Sequence, residues 1–123
     1  YYWIDAGWYG KSETDCPNVF KGDWGTVGDW IVNKHRHPET LKPISEAIQK
    51  ANMKFLLWFE PIRTTRGTDA IKAHPEYFVD TGGGNLLLNL GNPEAKKYIT
   101  ETISGLITEN GIDCYREDFN FDP

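Results

Sequence analysis

Apolar residues along this chain fall into two kinds of pattern. Four short runs are nearly continuous in apolar or aromatic residues: "YYWID" (Tyr1 to Asp5), "KFLLWFE" (Lys54 to Glu60), "LLLNL" (Leu86 to Leu90) and "IDCYREDF" (Ile112 to Phe119). Runs of this length without clean alternation suit strands covered on both faces, as in a parallel sheet. Between them the apolar positions recur at three- and four-residue steps. In "ETLKPISEAIQKAN" the residues Leu41, Ile44, Ile48 and Ala51 share one helical face, with Pro43 in the first turn and Asn52 as a left-handed stop. In "NPEAKKYITETISGLITENG" Asn92 is the N-cap and Pro93 the first helical residue. Ala95, Ile99, Ile103, Leu106 and Ile107 make the buried stripe, and Gly111 ends the helix. A shorter helix is expected within Thr68 to Ala73, before Pro75, and "TGGGN" (Thr81 to Asn85) reads as a turn.

The predicted order is strand, long loop, helix, strand, short helix, strand, helix, strand. Strands alternating with helices imply an α/β fold of parallel βα units with right-handed crossovers, and four such strands amount to about half of a TIM-type (β/α)8 barrel. Residues 7–38 are too many for a plain connector and predict a long loop insertion after the first strand, carrying Trp8, Trp24 and Trp30. On this reading residues 1–123 form one segment of a catalytic barrel domain.

The strand ends then become informative. Asp5 closes the first predicted strand, Glu60 the second, Asn89 and Asn92 follow the third, and Arg116, Asp118 and Asn120 close the fourth. In βα barrels the C-terminal strand ends carry the chemistry, although polar residues are also ordinary loop formers there. Arg116 and Asp118 lie two apart, so an extended chain points them the same way, about 7 Å apart along the strand. Asn120 continues that row, and Glu117 faces the other side. A carboxylate beside a guanidinium stays ionised, which is the state a glycosidase nucleophile requires; the alternative is a structural ion pair. Asp5 is placed to accept hydrogen bonds from sugar hydroxyls. Trp8, Trp30 or Trp58 offers an apolar wall for a sugar face.

Composition narrows the partners. The chain has 123 residues, a net charge of −5 and no Lys/Arg run, so a nucleic-acid partner is not expected. The longest apolar run, "FLLWF", falls far short of the ~20 residues of a membrane span. A soluble protein is expected, with the cytoplasm slightly favoured. The aromatic share of 14% is high and suits a carbohydrate surface as well as an aromatic core. Cys16 and Cys114 form no CxxC pair, and His35 with His37 lacks two further ligands, so neither pair reads as a metal site. No metal and no cofactor is expected.

Several motifs stand together in one order: "WIDAGWYG", "VGDW", "NMKFLLWFEP", "HPEYFV", "LLLNLGNPEAKKYI" and "GIDCYREDFN". In that order the chain resembles the melibiase family, retaining α-galactosidases with a (β/α)8 catalytic barrel. The family's Lys-x-Asp-x-Asn motif is similar to Arg116, Asp118 and Asn120, which implies Asp118 as the catalytic nucleophile. Arg116 and Asn120 are implied in substrate binding, with Arg in place of Lys offering a bulkier, forked cation. The family's Asp-Asp-Gly-Trp reads Asp5-Ala6-Gly7-Trp8, so one of two sugar-gripping acids is absent. Trp58 is implied as a sugar-site residue, with Glu60 beside it, and Ile62 stands where the family has a further Glu. Arg63 corresponds to a family Arg beyond that segment. Asp29 and Trp30 match the family's loop over the substrate, and Asp23 and Trp24 echo it.

The resemblance implies hydrolysis of terminal α-galactosides once the site is complete. The family's general acid/base is an Asp from a later strand, and no residue here stands for it. A whole barrel needs roughly 200–250 residues and eight strands. The chain is therefore expected to carry the nucleophile half of a site, completed by a homo-oligomer or by the C-terminal half of the barrel. Two other readings stay open: a non-catalytic sugar-binding or self-associating half-barrel, and a hydrolase of another class, such as an esterase, reusing the cleft.

Overall fold

A computed structural model describes residues 1–11 and 24–120. Its elements in chain order are β1 (Tyr2–Ile4), α1 (Lys42–Lys50), β2 (Phe55–Phe59), β3 (Arg63–Thr65), α2 (Asp69–Ala73), β4 (Phe78–Asp80), β5 (Asn85–Leu88), α3 (Pro93–Asn110) and β6 (Cys114–Glu117). They make two three-stranded sheets. The first has order β1-β2-β6 and is parallel throughout; the second has order β3-β5-β4 and is antiparallel throughout.

The second sheet corrects one expectation. "LLLNL" is not a member of the parallel sheet but the centre of the antiparallel one, with Leu87 opposite Arg63 and Val79 opposite Leu87. Two causes act together. The glycine turn ending at Gly84, with Gly82 at φ 77°, folds β5 back on β4 as a hairpin. Burial along β5 also alternates, Leu86 and Leu88 inward and Asn85 and Leu87 less so, which is the habit of a half-covered antiparallel strand. Among the described residues three strands, not four, therefore run in parallel, and the β2-to-β6 crossover carries both the small sheet and α3.

The helices form where the sequence places them. Asn92 caps α3, its side-chain oxygen accepting the N–H groups of Glu94 (2.9 Å) and Ala95 (3.4 Å), with Pro93 next; Gly111 ends it in the left-handed region at φ 62°. A Cβ at Gly111 would meet Ser45 Oγ at 2.7 Å, so both the backbone conformation and the space favour glycine here. Helix α1 starts at Lys42 with Pro43 behind it, and Asn52 follows it at φ 55°. Leu41 has no side-chain cap of its own. Instead its N–H donates to Asn110 Oδ1 at 2.9 Å, and Ser45 Oγ donates to the Gly111 carbonyl at 2.8 Å, which ties the end of α3 to the start of α1. Ala51 is exposed, contrary to the expected stripe, because α1 ends at Lys50 and Ala51 is its C-cap; Ser45 is buried with Leu41 and Ile48.

Strand β2 is the centre of the molecule. Phe55, Leu57 and Phe59 are fully buried and pack with Leu41, Ile48, Ala95, Ile99 and Leu106 from the helices. In parallel pairing, partnered residues share a face. Ile4, Leu57 and Tyr115 therefore look toward the helices, whereas Trp3, Leu56, Trp58, Cys114 and Arg116 look the other way. Among the described residues no helix is long and apolar enough to cross a membrane.

The described parts of the loop after β1, residues 5–11 and 24–41, pack over the C-terminal end of the sheet. Tyr9 bridges Val32, Asn33 N–H donates to the Trp8 carbonyl at 2.8 Å, and the turn Trp24–Thr26 lies against β3 through Thr65 Oγ1, which donates to the Trp24 carbonyl at 2.6 Å. Cys16 and Asp23 lie outside the described residues; Cys114 is a free thiol.

Candidate active site

Register collects the predicted polar residues. Ile4 pairs with Leu57, so Asp5, one residue on, comes level with Trp58, which pairs with Arg116. All three stand at the C-terminal end of the parallel sheet. The backbone N–H of Asp118 donates to the Phe59 carbonyl at 2.8 Å, which carries the β2–β6 ladder one step further and fixes where the Asp118 side chain begins.

The Asp118 carboxylate is gripped on one oxygen. Oδ2 accepts the Trp58 indole N–H (2.9 Å), the Asn120 side-chain amide (3.0 Å) and Arg116 NH1 (3.2 Å). Oδ1 accepts the neighbouring Phe119 N–H at 3.0 Å and has no other donor among the described residues. These donors, Trp58 and Asn120 foremost, hold the carboxyl well below the usual carboxylate range, so it is ionised at neutral pH. The side chain is 30% exposed, open enough for a solute to reach. The row Arg116, Asp118, Asn120 thus forms as the two-residue spacing predicts. Glu117 faces the opposite side, where its carboxylate accepts the Tyr115 hydroxyl at 3.0 Å. Arg116 also stacks its guanidinium 4.8 Å above the Trp3 ring, on the same face of the sheet.

The tryptophans are arranged differently from a row of open walls. Trp8, Trp30 and Trp58 are 1%, 3% and 1% exposed. Trp8 donates its indole N–H to the Trp58 carbonyl at 2.8 Å, and Trp58 is stacked on Tyr9 (5.9 Å, 19° between planes) with the Trp24 ring set against its edge. They form one aromatic block that closes the end of the sheet beside Asp118. The exposed rings in this region include Trp3, Trp24 and Phe119. Asp29 spends both carboxylate oxygens on the first turn of α2, accepting the N–H of Ala70 (2.9 Å) and of Asp69 (3.2 Å), a capping task that Thr68 leaves undone. Asp5 is exposed and accepts its neighbour Ala6 N–H at 2.8 Å.

Sequence reasoning did not foresee the surroundings of Glu60. This residue is fully buried and joins Arg63 and the Asn120 backbone, neither of which spacing alone could pair with it. Nor did it foresee Asp113, which sits at the other end of β6 and accepts the Phe55 N–H at 2.9 Å.

A parallel sheet backed by helices, with an ionised carboxylate and its donors at the C-terminal strand ends, is the layout of the α/β enzymes whose active sites occupy that end. The sequence places the chain within that class. The Melibiase family model matches residues 1–122, and the chain belongs to that family. It is 29% identical to an Escherichia coli alpha-galactosidase over 124 residues, covering 95% of this chain and 16% of that protein. Among solved structures it is similar to the GH36 alpha-galactosidase AgaB of Geobacillus stearothermophilus, at 27% identity and a TM-score of 0.77, over 96% of this chain and 16% of that one. It also resembles AgaA of the same organism in complex with raffinose, at 25% identity and a TM-score of 0.74, over 92% of this chain and 16% of that one. The chain therefore spans about one sixth of the length of the relatives it matches.

Proposed function

We propose that this chain carries the nucleophile side of a retaining α-galactosidase site. One observation bears most of the weight: Asp118 is an ionised carboxylate with three side-chain donors on Oδ2 and a lightly engaged Oδ1. Oδ1 is then the attacking oxygen. It forms a bond to the anomeric carbon while the glycosidic C–O bond breaks, and the electron pair leaves with the aglycone oxygen, which takes a proton from a general acid. Water later releases the sugar. The substrate class is a terminal α-galactoside; the family membership and the raffinose complex of AgaA support it.

Arg116, Asn120 and Asp5 are the residues proposed to meet sugar hydroxyls directly. Trp58 is proposed to act at the nucleophile through its indole N–H. Trp8, Trp30 and Asp29 shape the wall from behind, since the first two rings are buried and the Asp29 carboxylate is occupied by α2. The three parallel strands are proposed as an arc of a (β/α)8 barrel. A retaining reaction needs a second carboxyl about 5–5.5 Å from the first. Glu60 is buried and Glu117 faces away, so that group is proposed to come from further barrel strands or from a second copy.

The support for such a neighbour is the groove of about 460 Å³ between α3 and β6, lined by Pro61, Ile62, Leu90, Ile99, Ile103 and Tyr115 among others. Sedimentation of the purified chain as a monomer with no exposed apolar surface would remove it.

The test is hydrolysis of a nitrophenyl α-galactoside, whose nitrophenolate departs without a proton, by the chain and by Asp118→Ala. Once the second carboxyl is supplied, turnover that Asp118→Ala abolishes is the expected result, and a 5-fluoro-α-galactosyl fluoride is expected to leave its label on Asp118. Turnover that survives Asp118→Ala, or a label on another carboxylate, overturns the assignment.

A further inference from the structure

Behind the nucleophile lies a charged pair that no sugar can touch. Glu60 follows β2 directly and is fully buried; Arg63, at the start of β3, is 7% exposed. Glu60 Oε2 accepts Arg63 NH2 at 2.5 Å, and Oε1 accepts the backbone N–H of Asn120 at 2.6 Å. A buried carboxylate is tolerated only when paired and hydrogen-bonded. Here the two partners come from different parts of the fold: the antiparallel sheet supplies Arg63 and the segment beyond β6 supplies Asn120. Arg63 has a second contact, its guanidinium carbon lying 5.2 Å above the Trp24 ring, and Trp24 sets its own ring against the edge of Trp58 at 5.9 Å.

The two shortest side-chain hydrogen bonds to Asp118 come from the Trp58 indole and the Asn120 amide. Each of them is backed by this one pair, Asn120 through Glu60 and Trp58 through Arg63 and Trp24. The link from β2 to β3 thus serves the reacting carboxylate as well as the small sheet.

We propose that Glu60 and Arg63 are a positioning pair for Asp118. They fix the Asn120 backbone and the Trp58 ring, so that both donors converge on Oδ2 and leave Oδ1 with the Phe119 N–H alone. The role rests on the reading of Asp118 as nucleophile. The geometry it predicts is nevertheless visible without any sugar, so the two ideas fail separately.

The experiment is 1H–15N NMR of the chain, comparing Glu60→Gln, Arg63→Lys and, as a control, Asp113→Asn. Asp113 anchors the same two strands at their opposite end, so its loss weakens the sheet without touching the pair. In Glu60→Gln, hydrogen exchange of the Asn120 backbone N–H is expected to speed up about 10-fold, as a charge-assisted bond becomes a neutral one. The Trp58 indole N–H and Asn120 side-chain resonances are expected to move with it. Arg63→Lys keeps the charge and the fold but removes the planar contact with Trp24, and is expected to shift the Trp58 indole resonance more than the Asn120 one. Asp113→Asn is expected to move neither. If both site variants fold and leave these resonances and the Asn120 exchange as in the parent, the positioning role is wrong. It is equally wrong if Asp113→Asn shifts them as much, since any weakening of the sheet would then suffice.

Discussion

Asp113 and Asp118 stand at opposite ends of β6, and both carboxyls titrate below their ordinary range. The causes differ. At Asp113 the leading cause is the Phe55 backbone N–H, followed by Lys54, whose Nζ lies 3.1 Å away. Its acceptors are used to pin the start of β2 beside the start of β6. At Asp118 the leading causes are side chains, Trp58 and then Asn120, gathered on one oxygen. A lowered pKa is therefore no mark of chemistry by itself. The useful distinctions are whether the donors are backbone or side chain and whether one oxygen is left lightly engaged.

The sharpest way to break that comparison is to truncate each acid. Asp118→Ala is expected to lower nitrophenyl α-galactoside turnover per folded molecule by roughly 10⁴-fold. Asp113→Ala is expected to lower Tm and leave turnover per folded molecule unchanged. If the two phenotypes coincide, the ends are not functionally distinct. Leu57→Ala, in the strand that both ends share, is expected to cost about 2–5 kcal/mol of stability in urea unfolding, because Leu57 is fully buried. It should impair both ends together.

Trp58→Phe keeps an aromatic ring but removes one donor from Asp118. A reaction rate about 10–100-fold lower is expected, the worth of a hydrogen bond to a charged group. The acid limb of the pH–rate profile should also move upward, since the carboxyl loses the largest cause of its depression. A smaller effect, about 1 kcal/mol, is expected from Asn92→Ala, which removes the α3 cap and touches neither acid, and should change stability alone.

Acid unfolding supplies the mildest test. Both folded carboxyls titrate below the unfolded Asp value of about 3.9. The stability they contribute is complete above that value and is lost as pH falls through their depressed folded values. Asp113→Asn and Asp118→Asn should each flatten the decline of stability on the acid side. A decline of unchanged slope in either variant would show that its carboxyl is not linked to folding.

Local physics made much of this molecule legible in the sequence. Asn92–Pro93 and Gly111 bound α3 because a cap, a fixed φ and a left-handed residue act within one turn. Pro43 and Asn52 do the same around α1. The two-residue spacing of Arg116, Asp118 and Asn120 was enough to align them, since an extended chain puts alternate residues on one side.

What the tertiary structure decided depends on residues far apart along the chain. The run "LLLNL" joined an antiparallel sheet because β3 and β4 flank it, and neither is apolar enough to announce itself. Trp8, Trp30 and Trp58 became one sealed block because the described parts of the loop after β1 pack over the strand ends, which periodicity cannot show. Asp29 went to cap α2, 40 residues on, and Glu60 went to Asn120, 60 residues on. Such partners are chosen by how the buried polar groups must be satisfied once the chain has closed on itself, and no stretch of sequence contains both members of the pair.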